Sequence, residues 1–235
     1  MPIDDQARIH NTVSMEGPAL SIARAHIDAY AHIGEQVEIQ DGANIGGAAY
    51  IGRRATVGAQ VMVGRGAYVG EDAVLYPAIG GGAMASDVNY KGVMRNAIVG
   101  DGIHLPGGVS VPEDTVIPDN DAFHTIAFMG NSNRVVTVFG SESGFPKYVV
   151  GCQKGVSLTR FRARTWVGVG TSRESADRYK PFLGVRGPLA KLGRIAQESF
   201  NDNLHVVDEL RIRKQDHIAD QRKAAEEAGD FHFRM

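Results

Sequence analysis

The chain has 235 residues, 43% hydrophobic and 22% charged, with a formal net charge of −2, which suits one large globular domain or a medium domain with an appendage. The near-neutral charge excludes the basic footprint of a dedicated nucleic-acid binder and a polybasic membrane patch. Cys152 stands alone, so a disulfide scaffold is excluded and a reducing compartment fits. Residues Met1 to Asp5 show no basic or apolar leader, and no run approaches the roughly 20 apolar residues that span a bilayer. The expected location is the cytoplasm, a host cytoplasm if the protein is phage-encoded.

After a lead-in over residues 1–24, aliphatic residues recur at every sixth position: Ile27, Ile33, Ile39, Ile45, Ile51, Val57, Val63, Val69 and Leu75. Four residues after each anchor sits a small or β-branched residue, such as Ala31, Val37, Ala43 or Ala49. Glycine follows the anchor directly at Gly34, Gly46, Gly52, Gly58, Gly64 and Gly70. A period of six is neither the helical 3.6 nor the simple strand repeat of 2. It fits a short strand and a sharp corner, repeated, with the small residue and the next anchor both facing inward. The post-anchor glycines are expected to give the corner its conformational freedom.

This pattern resembles the left-handed parallel β-helix of the hexapeptide-repeat superfamily, in which three hexads make one triangular coil. The resemblance predicts a mainly β fold over residues 25–121. Residues three hexads apart then stack on consecutive coils. Glu35, Arg53 and Glu71 form one such column with alternating charge, expected as a solvated ion ladder. His32, Tyr50 and Tyr68 form another, facing outward in mid-strand, where a row of aromatics calls for a cover. That cover is a neighbouring subunit, the C-terminal tail or a ligand.

Between Leu75 and Val93 the pattern fails, and a loop excursion is expected over 76–92. It carries Asp87, Asn89, Tyr90 and Lys91, which with Arg95 join His32, Tyr50 and Tyr68 as candidates for a ligand site or subunit seam. The triple glycine 80–82 lacks the lysine and hydroxyl residue of a phosphate loop. Val93, Val99, Leu105, Val111 and Ile117 resume the phase of six.

The superfamily's acyltransferases use a histidine as general base. Residues 100–111 resemble their late-coil motif, but the position matched to that histidine holds Gly102. His104, two residues on, is the candidate catalytic residue. If the irregular stretch winds in as a coil, His104 stacks on the His32, Tyr50, Tyr68 face; if it bulges out, it does not. The γ-type carbonic anhydrase branch binds zinc through a close histidine pair, which the spacing of His26, His32, His104 and His124 does not supply. No metal site is expected.

The remainder, 122–235, reads as an α+β tail: strands over 134–139 and 147–152, a helix capped by Ser157 with Leu158, Phe161 and Trp166, and helices near 173–182, 187–200 and 203–228. Gly130 to Asn133 and Gly151 to Gly155, followed by Leu158 and Phe161, resemble a tail on uncharacterised bacterial and phage proteins. Arg160, Arg162 and Arg164 stand where many of those relatives carry acidic residues. Cys152 is expected to be a buried structural thiol.

Two functions follow as expectations. One is a non-catalytic homotrimeric scaffold or small-ligand-binding protein of phage or bacterial origin, with no cofactor, no nucleic acid and no membrane partner, and a small polar or anionic ligand at the seams. The alternative is a coenzyme A-dependent acyltransferase acting through His104 on a small hydroxyl or amine, with a coenzyme A thioester as co-substrate. The homotrimer is implied by the resemblance.

Overall fold

The computed structural model describes residues 3, 5–17, 21–76, 92–129, 134–150, 155–166, 187–227 and 229. They belong to two compact units, one of residues 1–118 with 205–235 and the other of residues 119–204.

The first unit is a left-handed parallel β-helix. Seventeen two-residue strands, β1 (Arg8–Ile9) through β17 (Val116–Ile117), build three parallel sheets of six, six and five strands. Each strand pairs with the strand three further on, so a coil passes a first, a second and a third face in turn. Ile27, Ile45, Val63, Val93 and Val111 stack on the first face, and Ile33, Ile51, Val69, Val99 and Ile117 on the second. Ile39, Val57, Leu75 and Leu105 stack on the third. All are buried. Complete burial of each such side chain contributes about 1.5–3 kcal/mol, which is why the aliphatic count never slips within the regular coils.

The corners are set by a residue other than the one the sequence suggested. Three places after twelve of the anchors the backbone has positive φ: Tyr30, Gln36, Gly42, Ala48, Arg54, Gln60, Gly66 and Asp72, then Asn96, Gly102, Gly108 and Asp114, between 55° and 84°. The post-anchor glycines serve a different end. A Cβ on Gly34 would lie 2.8 Å from the Arg53 amide nitrogen, one on Gly52 2.6 Å from that of Glu71, and one on Gly70 2.6 Å from that of Asp101. These glycines admit the backbone of the next coil at its closest approach, while the left-handed turn is made two residues later.

The coils begin within the stretch read as a lead-in. Arg8–Ile9, Ser14–Met15 and Ser21–Ile22 pair with His26–Ile27, His32–Ile33 and Glu38–Ile39. The repeat is hidden there because Met15 replaces an aliphatic anchor and Ile22 falls one place late, so that Ser21 pairs with Glu38 only 17 residues on.

At the other irregularity Met62 pairs with Gly92, 30 residues away, instead of the 18 separating Asn44 from Met62. The intervening chain is therefore twelve residues longer than on a regular coil; the loop expected over 76–92 lies, apart from Tyr76 and Gly92, outside the described residues. Twelve is two hexads, so the excursion leaves the six-residue phase intact and only the pairing reveals it. Gly92 re-enters the coil with φ 136°, and a Cβ there would collide with the Met62 carbonyl oxygen.

The second unit is α+β. Strands β18 (Phe123–Met129), β19 (Arg134–Phe139) and β20 (Lys147–Val150) form an antiparallel sheet in that order. The sequence reading did not foresee β18; residues 151–152 of the strand expected to follow the hairpin lie outside the described residues. Helix α1 (Leu158–Trp166) starts where Ser157 Oγ accepts from the Arg160 amide at 3.3 Å, the cap that Ser157 led one to expect. Helix α2 (Pro188–Asp202) buries Leu189, Gly193, Ala196, Gln197 and Phe200, one face at helical spacing. Val136, Val138, Tyr148, Val156, Phe161 and Leu189 make the core. The expected helix over 173–182 lies outside the described residues. The last helix, α3 (Leu204–Glu227), belongs from His205 onward with the β-helix.

Candidate functional site

His104 is the side chain the sequence nominates for chemistry, and its strand pairs with Val74–Leu75, not with the tyrosine column. The column above Tyr68 is taken by Ile98. Because the strand pairing skips twelve residues, His104 stands on the third face above Thr56 and Val74. It is exposed, with Tyr76 beside it: the phenol oxygen lies 3.5 Å from Nδ1 and the ring centroids are 6.1 Å apart. Next to this pair a shallow groove is lined by Val61, Leu75, Tyr76, Gly92, Leu105 and Pro106, at the corner where the chain leaves and re-enters the coil. The groove has an apolar floor with the Tyr76 phenol at its edge, and His104 reaches it only through that phenol.

Gly102, which the resemblance matches to the catalytic histidine, is a corner residue with φ 62° and no atom within 4 Å of where a Cβ would lie. It repeats the left-handed turn that Gln36, Arg54 and Asp72 make on earlier coils at the same corner.

His32, Tyr50 and Tyr68 form a ladder on the second face, as their spacing requires. The His32 and Tyr50 rings are 4.9 Å apart and 4° from parallel, and those of Tyr50 and Tyr68 are 4.6 Å apart and 7° from parallel. The chain itself covers this face. From α3, His217 meets His32 at 5.7 Å and Tyr50 at 5.0 Å, edge to face. Arg213 donates to Asp101 at 2.8 Å and to Glu209, and Lys214 donates to the Asn96 carbonyl at 2.6 Å. Ala225 packs with Tyr30 and Ala48. Of the three covers open to the ladder, the tail is the one seen.

Burial governs the chemistry of this cluster. It pushes the Tyr68 phenol up to about 12, with Tyr50 adding to the rise. Burial also raises Tyr50 and lowers His32, whose fall is opposed by Glu16 at 3.5 Å. His217 is pushed down to about 4, by burial first and by His32 second. Sequence reasoning missed His217 because the inward stripe of α3, Val207, Leu210, Lys214, His217, Gln221 and Ala225, is polar in its middle. The steps of three and four were present; the apolar residues that normally betray them were not.

Of the ladder expected over Glu35, Arg53 and Glu71, the Arg53–Glu71 pair is the one seen, at the second corner. Arg53 lies 3.1 Å from Glu71, Arg54 makes two hydrogen bonds of 2.6 Å to Asp72, and the Glu71 amide donates to Asp101 at 2.9 Å. These pairs stand in solvent, where water and salt screen them. Arg95 is an exposed corner residue away from the tyrosine ladder. Asp87, Asn89, Tyr90, Lys91 and Cys152 lie outside the described residues. Among the described residues no three His, Cys, Asp or Glu side chains are grouped to hold a metal, and no helix is long and apolar enough to cross a membrane.

No family model and no curated protein matches the chain. Among solved structures it is similar to a mutant of perosamine N-acetyltransferase from Caulobacter crescentus, in complex with coenzyme A and GDP-perosamine. The identity is 21%, the TM-score 0.32, and the similarity spans 48% of this chain and 50% of that one.

Proposed function

We propose that this protein is a cytoplasmic β-helix scaffold that binds a small ligand without transforming it, and that it assembles as a homotrimer. The observation carrying the non-catalytic reading is the corner at Gly102. A histidine there would have to adopt the left-handed backbone that side chains enter at a cost of roughly 1–2 kcal/mol, so this corner is built for turning the chain. The ligand expected is small and polar or anionic, bound where subunits meet, and no cofactor is required.

The trimer reading draws on the faces. With the second face under α3, the first and third remain as flat parallel rows of Arg8, His26, Asn44 and Met62 and of Glu38, Thr56, Val74 and His104. Parallel sheets are normally covered on both sides, and a first-to-third-face contact is heterologous, the type that closes into a ring. Native mass spectrometry should give three times 25.2 kDa, and Val74→Arg should reduce it to the monomer. A wild-type monomer would sink the trimer.

One observation favours the acyltransferase alternative: the His104–Tyr76 pair beside the groove at the excursion. In that reading His104 takes the proton from the acceptor's hydroxyl or amine, the acceptor oxygen or nitrogen attacks the thioester carbonyl, and the C–S bond breaks to release coenzyme A, whose thiolate takes up the proton from His104. Saturable acetyl-coenzyme A binding by calorimetry, with acyl transfer lost in His104→Ala, would establish it. Absence of binding at millimolar coenzyme leaves the ligand-binding scaffold.

A further inference from the structure

Helix α3 covers the tyrosine ladder with a stripe that is apolar only at its ends. Val207 and Leu210 at one end and Ala225 at the other are buried, and between them Lys214, His217 and Gln221 turn inward. His217 donates to the Ala48 backbone, while its Nε2 is buried with no hydrogen-bond partner among the described residues. A neutral imidazole tolerates that position. An imidazolium does not, because its second N–H would be stranded away from water and the His32 ring lies alongside at 5.7 Å.

We propose that α3 is an acid-released strap: protonation of His217 and His32 frees it from the second face and uncovers Tyr50 and Tyr68. The charged and titratable groups facing the cluster are Glu16 beside His32, and Glu71 and Asp101 near the tyrosines. Asp114 and Arg211 act on Lys214, and Arg213 and Asp220 also belong to α3. Imidazole is the side chain whose ordinary range falls between neutrality and pH 5, and the two histidines are the imidazoles of this cluster.

Well above pH 6.5 both histidines are neutral whether the strap is on or off, and closure is independent of pH. Below 6.5 the freed helix takes up protons that the closed form refuses until about pH 4, so closure weakens throughout that interval. For His217 alone, the step from pH 7 to pH 5 raises the ratio of freed to closed strap about twenty-fold. His32, lowered in the same direction, adds to it.

Hydrogen exchange of the full-length protein, read by mass spectrometry at pH 7 and pH 5 and corrected for intrinsic rates, tests this. Peptides within 207–225 should lose ten-fold or more of their protection at pH 5, while peptides within 27–69 keep theirs. His217→Phe should remain protected and lose most of the pH dependence, the remainder being that of His32. Unchanged protection of 207–225, a parallel loss across 27–69, or the same pH dependence in His217→Phe would each overturn the strap. If the phenyl variant does not fold, His217→Gln is judged by the same outcomes.

Discussion

Gln36, Gln60 and Arg54 each hold a left-handed backbone with a full side chain attached, a conformation costing roughly 1–2 kcal/mol away from glycine. Gln60 is exposed, so Gln60→Gly removes that strain and loses little packing. After the greater flexibility of glycine in the unfolded chain is counted, a gain of up to about 1 kcal/mol is expected, visible as a raised melting temperature. Gly52→Ala should act oppositely, by about 1–3 kcal/mol, since its new methyl meets the Glu71 backbone at 2.6 Å. This pair of substitutions separates turning from close approach, two roles that look alike in sequence because both draw glycine. Tyr68 supplies a third residue-level prediction. Its phenol should stay protonated through pH 11 by absorbance at 295 nm. The unfolded chain ionises its tyrosines near pH 10, so this residue's contribution to stability is lost between about pH 10 and 12.

The β-helix elements were legible because burial repeats every sixth residue without exception from Ile27 to Leu75. The excursion's place was legible too, from the failed anchors after Leu75, but its effect on the faces was not, since adding two hexads leaves the count in phase. Removing residues 79–90 should therefore be tolerated: Val93 then falls six places after Leu75, and the circular dichroism and melting temperature should stay within a few degrees of wild type. A collapse of the β signal would mean that the excursion carries structural weight. Helix α3 was visible as a helix and the tail as one of three possible covers, but the stripe that does the covering was not. Hydropathy scores Lys214, His217 and Gln221 as surface, whereas here they meet a face that offers a carbonyl and aromatic edges to polar partners.

At the level of the molecule, a tail expected to be one appendage divides: its sheet, α1 and α2 form one unit, and α3 returns to the β-helix. Nothing in a linear reading marks that return, because the contacts Arg213–Asp101 and Lys214–Asn96 join residues more than a hundred apart. Truncation after residue 204 should bare Tyr50, Tyr68, Ile98 and Val116, and bind an apolar dye such as ANS while the β-helix persists. No change in dye fluorescence would show that α3 is not what shields them. The twelve-residue insertion carries one more consequence. A second threading exists on paper, in which this stretch supplies two extra rungs and every later coil enters rotated by two thirds of a revolution, delivering His104 onto the stack of tyrosines. By count, those rungs would need aliphatic side chains at 81 and 87, and the chain has Gly81 and Asp87 there. Interring a carboxylate in that interior costs several kcal/mol, on the order of an unpaired buried charge or more. Two absent anchors thus decide the compass bearing of all that follows them.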